Sequence, residues 1–198
     1  MVSFYINGVQ ADIQLENEKT IGDILTPFAK YCDDNDSAVI GIVVDGKTVT
    51  AEDFEKTSAL PLGSDTKFEF SVVTKKEIHE SFEKLAGLFE ELSTKMEDVP
   101  VSLQSGKTKE VSESIKTVAE SIDQFCHVAA LASLFPQDFG NAQIDGKNFT
   151  EFFNEFAPVL KDFELALQNN DTVLIGDLSE YEICPRLKAI SQSLQKLV

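Results

Sequence analysis

Phe68-Glu69-Phe70-Ser71-Val72-Val73-Thr74 runs directly into Lys75-Lys76-Glu77-Ile78-His79-Glu80-Ser81-Phe82, and within this stretch the apolar period changes. Phe68, Phe70 and Val72 alternate, as in a strand with one buried face. Ile78 and Phe82, continued by Leu85, Phe89, Leu92 and Met96, recur every three or four residues, as on one stripe of a helix. The handover predicts an α+β protein of two domains, residues 1–74 and 75–198.

On the N-terminal side, Val2, Phe4 and Ile6 alternate with Ser3, Tyr5 and Asn7. Asn7-Gly8 then supplies the positive-φ pair of a tight hairpin, before Ile13 and Leu15 resume the alternation. Thr20-x-x-Asp23 caps a helix whose stripe is Ile21, Ile24, Leu25 and Phe28, with Pro27 inside it. Ala38 to Val44 reads as a buried central strand ended by Asp45-Gly46, and Lys47 to Val49 as its short return. Thr50-x-x-Asp53 opens one short helical turn before the last strand.

On the C-terminal side, Val111, Ile115, Val118, Ile122, Phe125, Ala129 and Ala132 write a second helix. The intervening Asp98-Val99-Pro100 and the Ser/Gly/Lys stretch to Lys107 read as loop. Asn148-x-x-Glu151 is a capping box for a third helix carrying Phe149, Phe152, Phe156, Val159 and Phe163, with a bend expected at Pro158. A fourth stretch, from about Asp171 to Leu197, is interrupted by Pro185, where the helix is expected to kink or to end and restart. Four amphipathic segments predict an antiparallel four-helix bundle.

The chain has 198 residues, and a chain of that size buries roughly 70% of its extended surface, so both halves have material for a core. Its formal charge is -17, from 34 acidic and 17 basic residues; residues 1–74 hold 13 acids and 5 bases. Neither half is a basic binding module. Nucleic acid and anionic membrane surfaces are therefore not expected as partners, whereas a neutral or basic protein is. Met1 to Gly8 lacks the basic and long apolar regions of a signal peptide, and no apolar run reaches spanning length. Cys32, Cys126 and Cys184 are odd in number and far apart, which points to a reducing, cytoplasmic setting in which they serve as small apolar core residues.

Candidate chemistry is sparse. Cys126-His127 is one adjacent pair, but a zinc centre needs three or four convergent ligands, so no metal site is expected. Asp33-Asp34-Asn35-Asp36-Ser37 lacks the glycine and the final glutamate of a calcium loop, with Ala38 and Val44 in their places, and reads as a turn. Gly-rich phosphate motifs, Glu-x-x-His pairs and a nucleophile elbow are absent, so neither a cofactor nor an enzymatic activity is expected. Two features rise above this background. Leu134 to Phe156 holds Phe135, Phe139, Phe149, Phe152, Phe153 and Phe156, either closing one end of the bundle core or lining a groove for a partner helix. Asp177 to Pro185 places Tyr181 at the proline-induced irregularity.

Strand, strand, helix, strand, short strand, short helix, strand is an order that resembles the ubiquitin-like β-grasp family over residues 1–74. Carrier members of that family end in a free Gly-Gly; here Val72-Val73-Thr74-Lys75-Lys76 stands instead, so the resemblance implies the fold without the carrier chemistry. Asp177-Leu178-Ser179-Glu180-Tyr181-Glu182-Ile183-Cys184-Pro185 resembles an ending of bacterial helical proteins similar to flagellar export chaperones, which implies an assembly or secretion helper. The expected function is a non-enzymatic protein–protein interaction module, an adaptor, chaperone or scaffold, with partner-contact candidates Tyr5, Phe135, Phe139, Phe149 and Tyr181. On the exposed face of the hairpin, Ser3 and Asn7 accompany Tyr5. The alternative is a metal-dependent protein or enzyme with its site at the domain interface. The sequence leaves oligomeric state open.

Overall fold

In a computed structural model that describes residues 1–197, Asn7 and Gly8 take φ of 49° and 80°, as a two-residue hairpin turn requires. They join β1 (Ser3–Ile6) to β2 (Val9–Ala11). Next come α1 (Gly22–Asp34), β3 (Ser37–Val44), β4 (Lys47–Thr48), α2 (Phe54–Ser58) and β5 (Lys67–Thr74), in the order expected. Asp45-Gly46 turns β3 into β4 with the same pair of positive φ angles, 49° and 78°. The five strands lie in the order β2-β1-β5-β3-β4, with β1 parallel to β5 and the other neighbours antiparallel. This sheet and its helices belong to a compact unit, Met1–Glu77; a second, mostly helical unit begins at Ile78.

Thr20 and Asp23 cap α1 reciprocally. The Asp23 amide donates to the Thr20 hydroxyl, and the Asp23 carboxylate accepts the Lys19 and Thr20 amides at 2.9 Å. Those bonds hold the Asp23 carboxyl below its usual range. The helix runs through Pro27 to Asp34 and lays Ile24 and Leu25 against Phe4, Val44, Phe68 and Phe70. The Phe4 and Phe68 rings stack at 5.2 Å, and Phe28 stacks on Phe70 at 4.0 Å. Each such ring buried contributes about 1.5–3 kcal/mol of hydrophobic stabilisation.

The central strand is β5, where Phe68 and Phe70 are buried, and not β3 as the apolar run Ala38 to Val44 suggests. Of β3 only Val44 is buried, and Ile40 is 48% exposed beside a bulge between Val39 and Gly41. Along most of its length β3 has one strand neighbour, because β4 is two residues long. An apolar run reports β-branched composition as well as burial, and here composition dominates.

The helices that follow are α3 (Lys75–Glu97), which enters the second unit at Ile78, then α4 (Val99–Gln104), α5 (Thr108–Ala132), α6 (Pro136–Phe139), α7 (Phe149–Gln168), α8 (Thr172–Asp177) and α9 (Cys184–Leu194). Ile78, Phe82, Leu85, Phe89, Leu92 and Met96 are all buried along α3. On α5, Val111, Val118, Phe125 and Ala132 are buried, while Ile115, Ile122 and Ala129 are half-buried. Ser121 and Val128 are buried as well, so the buried stripe of the second helix is displaced from the one its spacing implies. Phe125 links three helices, with rings of Phe89, Phe149 and Phe153 at 6.3, 5.0 and 5.2 Å.

Three prolines bear on the local expectations. Val99 to Gln104 is a helix and not a loop, with Pro100 in the first turn, where its missing amide costs nothing. α7 is unbroken through Pro158; Pro158 and Asn154, whose carbonyl loses its partner, are both exposed. Pro185 is accommodated by a π turn, Leu178–Ile183, ahead of α9. The Cys184 amide reaches back five residues to the Ser179 carbonyl, and the wider turn relieves the clash of the Pro185 ring with the Tyr181 carbonyl.

Candidate interaction surfaces

The Phe-rich segment is mostly committed to the core. Phe139, 6% exposed on α6, packs on His79 and Phe82 with ring separations of 4.9 and 5.6 Å. Phe149 is half-buried against Phe125, and Phe135 is half-buried at the N-terminus of α6. Between them Asp145-Gly146, at φ 51° and 74°, makes a tight turn that pairs Ile144 with Lys147 and leaves Ile144 fully buried. Of the two readings of this segment, closure of the core describes Phe139, Ile144, Phe152 and Phe156.

Tyr5 and Tyr181 lie nearer the surface. Tyr5 is half-buried, opposite Glu69 in the β1–β5 register, with the Lys67 ammonium 4.7 Å from its ring centre. Tyr181 is 65% exposed on the π turn, and hydrogen bonding to the Glu180 side chain pushes its phenol pKa up. Asn7 is structural: its side-chain amide donates to the Val72 carbonyl at 2.9 Å and accepts the Val72 amide at 2.8 Å.

Among the described residues no group of three His, Cys, Asp or Glu is placed to hold a metal. Cys32 and Cys184 are buried, and burial pushes both thiols up. Cys126, expected in the core, is exposed on α5, as is His127. Of Asp33 to Ser37, Asp33 and Asp34 end α1, Ser37 opens β3 and Asn35-Asp36 is the turn between them: the Asn35 side chain donates to the Tyr31 carbonyl and the Ser37 hydroxyl to that of Asn35.

One apolar concavity was not among the sequence candidates. It lies in the first unit between α1 and the segment that continues β2, and has a volume of about 490 Å³. Ile6, Ile13, Leu15, Ile24, Phe28 and Tyr31 give it apolar walls, and Asp12, Glu18 and Asp23 are the charged residues that line it. Leu15 is 37% and Tyr31 65% exposed, although both are large apolar side chains. The sequence signal was there: Ile13 and Leu15 extend the hairpin alternation beyond the three residues of β2, and Tyr31 lies one helical turn beyond Phe28. A smaller cleft of about 350 Å³ in the second unit, between α4 and α8, is lined by Pro100, Leu103 and Val173 with Asp177 and Glu180.

Residues 2–74 match the family model described as the TP0873 N-terminal domain, and residues 67–193 match the model described as a domain of unknown function, DUF8042. A Treponema pallidum (strain Nichols) protein named "Uncharacterized protein" is 22% identical over 189 residues, covering 96% of this chain and 94% of its own length. No solved structure matches. No flagellar or secretion description accompanies these matches. Among the described residues no helix is long and apolar enough to cross a membrane.

Proposed function

The chain belongs to the family of the DUF8042 domain of unknown function, and we propose that it is a non-enzymatic protein–protein interaction module, an adaptor, chaperone or scaffold. The observation that carries this reading is the groove between α1 and the extension of β2. Its apolar walls stay accessible, and its charged lining is entirely acidic. Exposed apolar surface of this kind marks a site for a partner, and the carboxylates select one that is neutral or basic. An extended or helical segment presenting aliphatic side chains beside Lys or Arg suits it. Tyr5 and Tyr181 are secondary contact candidates, since both present part of their rings at the surface.

The fold assignment behind the proposal is finer than the α+β description. The order β2-β1-β5-β3-β4 with β1 parallel to β5 supports a β-grasp reading of the first unit. The long helical stretches α3, α5, α7 and α8–α9 support a four-helix reading of the second. A cytoplasmic place belongs to the same proposal, in keeping with free, buried Cys32 and Cys184.

Affinity capture from lysate of the source cells tests it, with the intact chain and a Leu15→Asp, Tyr31→Ala variant as baits. A neutral or basic protein held by the intact chain at low salt should fall at least about tenfold with the variant, the equivalent of about 1.4 kcal/mol. A partner recovered equally by both baits removes the groove from the function, and recovery of none at low salt counts against the module itself.

A further inference from the structure

We infer that Asn7 is a latent covalent modification site, an asparagine set to deamidate through Gly8 and held unreactive by its clamp on Val72. This inference is independent of the partner-binding reading. Asn7 is the asparagine that glycine follows, so the attacking amide nitrogen carries no β-carbon to hinder it. Both residues are exposed, and the space where a Gly8 side chain would stand is open.

The reaction needs only water. The Gly8 amide nitrogen gives up its proton and attacks Asn7 Cγ, forming a C–N bond that closes a five-membered succinimide. The Cγ–Nδ2 bond breaks, and ammonia leaves carrying that proton. Water then opens the ring at either carbonyl, giving aspartate or isoaspartate at position 7.

The native geometry opposes the first step. Asn7 Nδ2 donates to the Val72 carbonyl at 2.9 Å and Oδ1 accepts the Val72 amide at 2.8 Å, while the Asn7 amide donates to the Phe70 carbonyl at 2.8 Å. The side chain thereby imitates one more residue of the parallel β1–β5 ladder, which its backbone leaves after Ile6 opposite Phe70. Swinging Cγ onto the Gly8 nitrogen breaks both side-chain bonds, so the reaction waits on local opening of the hairpin end. Once it happens it is not undone. Aspartate sets a carboxylate oxygen against the Val72 carbonyl where a donor stood. Isoaspartate adds a methylene to the two-residue turn that sets the pairing Ile6–Val9, Tyr5–Gln10 and Phe4–Ala11.

The test incubates the full chain at mildly alkaline pH, native and in urea, and follows each asparagine by peptide mass mapping with isoaspartyl methyltransferase labelling. In urea Asn7 should convert ahead of every other asparagine. In the native chain it should slow by at least about tenfold and fall behind exposed Asn141, as gating by local opening requires. Equal rates in the two states, or an Asn7 that does not lead in urea, overturn the inference. Chains aged to isoaspartate, separated chromatographically, should exchange the amides of residues 5–10 at least about tenfold faster than fresh protein. Unchanged exchange overturns the claim that the modification unlatches the hairpin.

Discussion

Truncating Phe89 to alanine separates a core set by one dominant stripe from one shared evenly between two helices. Phe89 is fully buried on α3, with its ring edge-on to Phe125 at 6.3 Å. Removing a buried phenylalanine costs about 3–5 kcal/mol, combining lost transfer energy with the cavity left behind. Ile122 occupies an equivalent place in the apolar spacing of α5 but is only half-buried, so Ile122→Ala should cost about 1–2 kcal/mol. With a urea slope of about 2 kcal/mol/M, the helical transition followed by far-UV circular dichroism should move by about 2 M for Phe89→Ala and by less than about 1 M for Ile122→Ala. Equal midpoints for the two variants, or a Phe89→Ala midpoint at the wild-type value, would refute the packing argument.

Further outcomes follow from local geometry and charge. Gly87 is exposed in the middle of α3 with open space where a side chain would go, so Gly87→Ala should stabilise by about 0.5–1 kcal/mol. At Gly22 a β-carbon would stand 2.9 Å from Ser58 Cβ and 3.0 Å from the Ser58 carbonyl oxygen, so Gly22→Ala should destabilise; a lowered thermal midpoint for Gly87→Ala or a raised one for Gly22→Ala would contradict the corresponding statement. The Asp23 carboxyl is held low by the Lys19 and Thr20 amides. A depressed folded value means stability present above the unfolded value, about 4, and lost as pH falls through the folded one. An NMR titration of Asp23 should therefore have its midpoint below the ordinary aspartate value of about 4, and Asp23→Asn should flatten the acid limb of the stability curve; a midpoint in the ordinary range would show that the capping bonds do not form in solution.

Elements whose signal is local were readable from the chain. Asn7-Gly8, Asp45-Gly46 and the Thr20–Asp23 and Asn148–Glu151 caps state their geometry within four residues, and the structure places a turn or helix start at each. Thr74-Lys75-Lys76-Glu77 is a cap of the same kind that the period change overshadowed. The Glu77 carboxylate accepts the Thr74 amide at 2.8 Å and the Glu77 amide donates to the Thr74 hydroxyl, so α3 starts at Lys75. Features that depend on what lies across the fold were less legible. Whether β3 is central, or Ile122 buried, depends on neighbours that its own residues do not name. The groove escaped for the same reason, because its walls come from a loop and a helix brought together only by the packing of α1 on the sheet.

The π turn at Leu178–Ile183 has a bearing on chain length. A π turn accommodates one residue more than an α-helix would across the same rise, without rotating the faces on either side. Ile175 before it and Leu187 after it therefore stay buried while the extra residue is carried as an outward bulge, with Tyr181 exposed there. Pro185 discourages rewinding, since a regular α turn would drive its ring into the Tyr181 carbonyl. A one-residue deletion at the bulge, made together with replacement of Pro185, should therefore leave the buried faces on both sides in register. An insertion or deletion elsewhere in that segment would turn the next face by about 100° and carry its leucines into solvent.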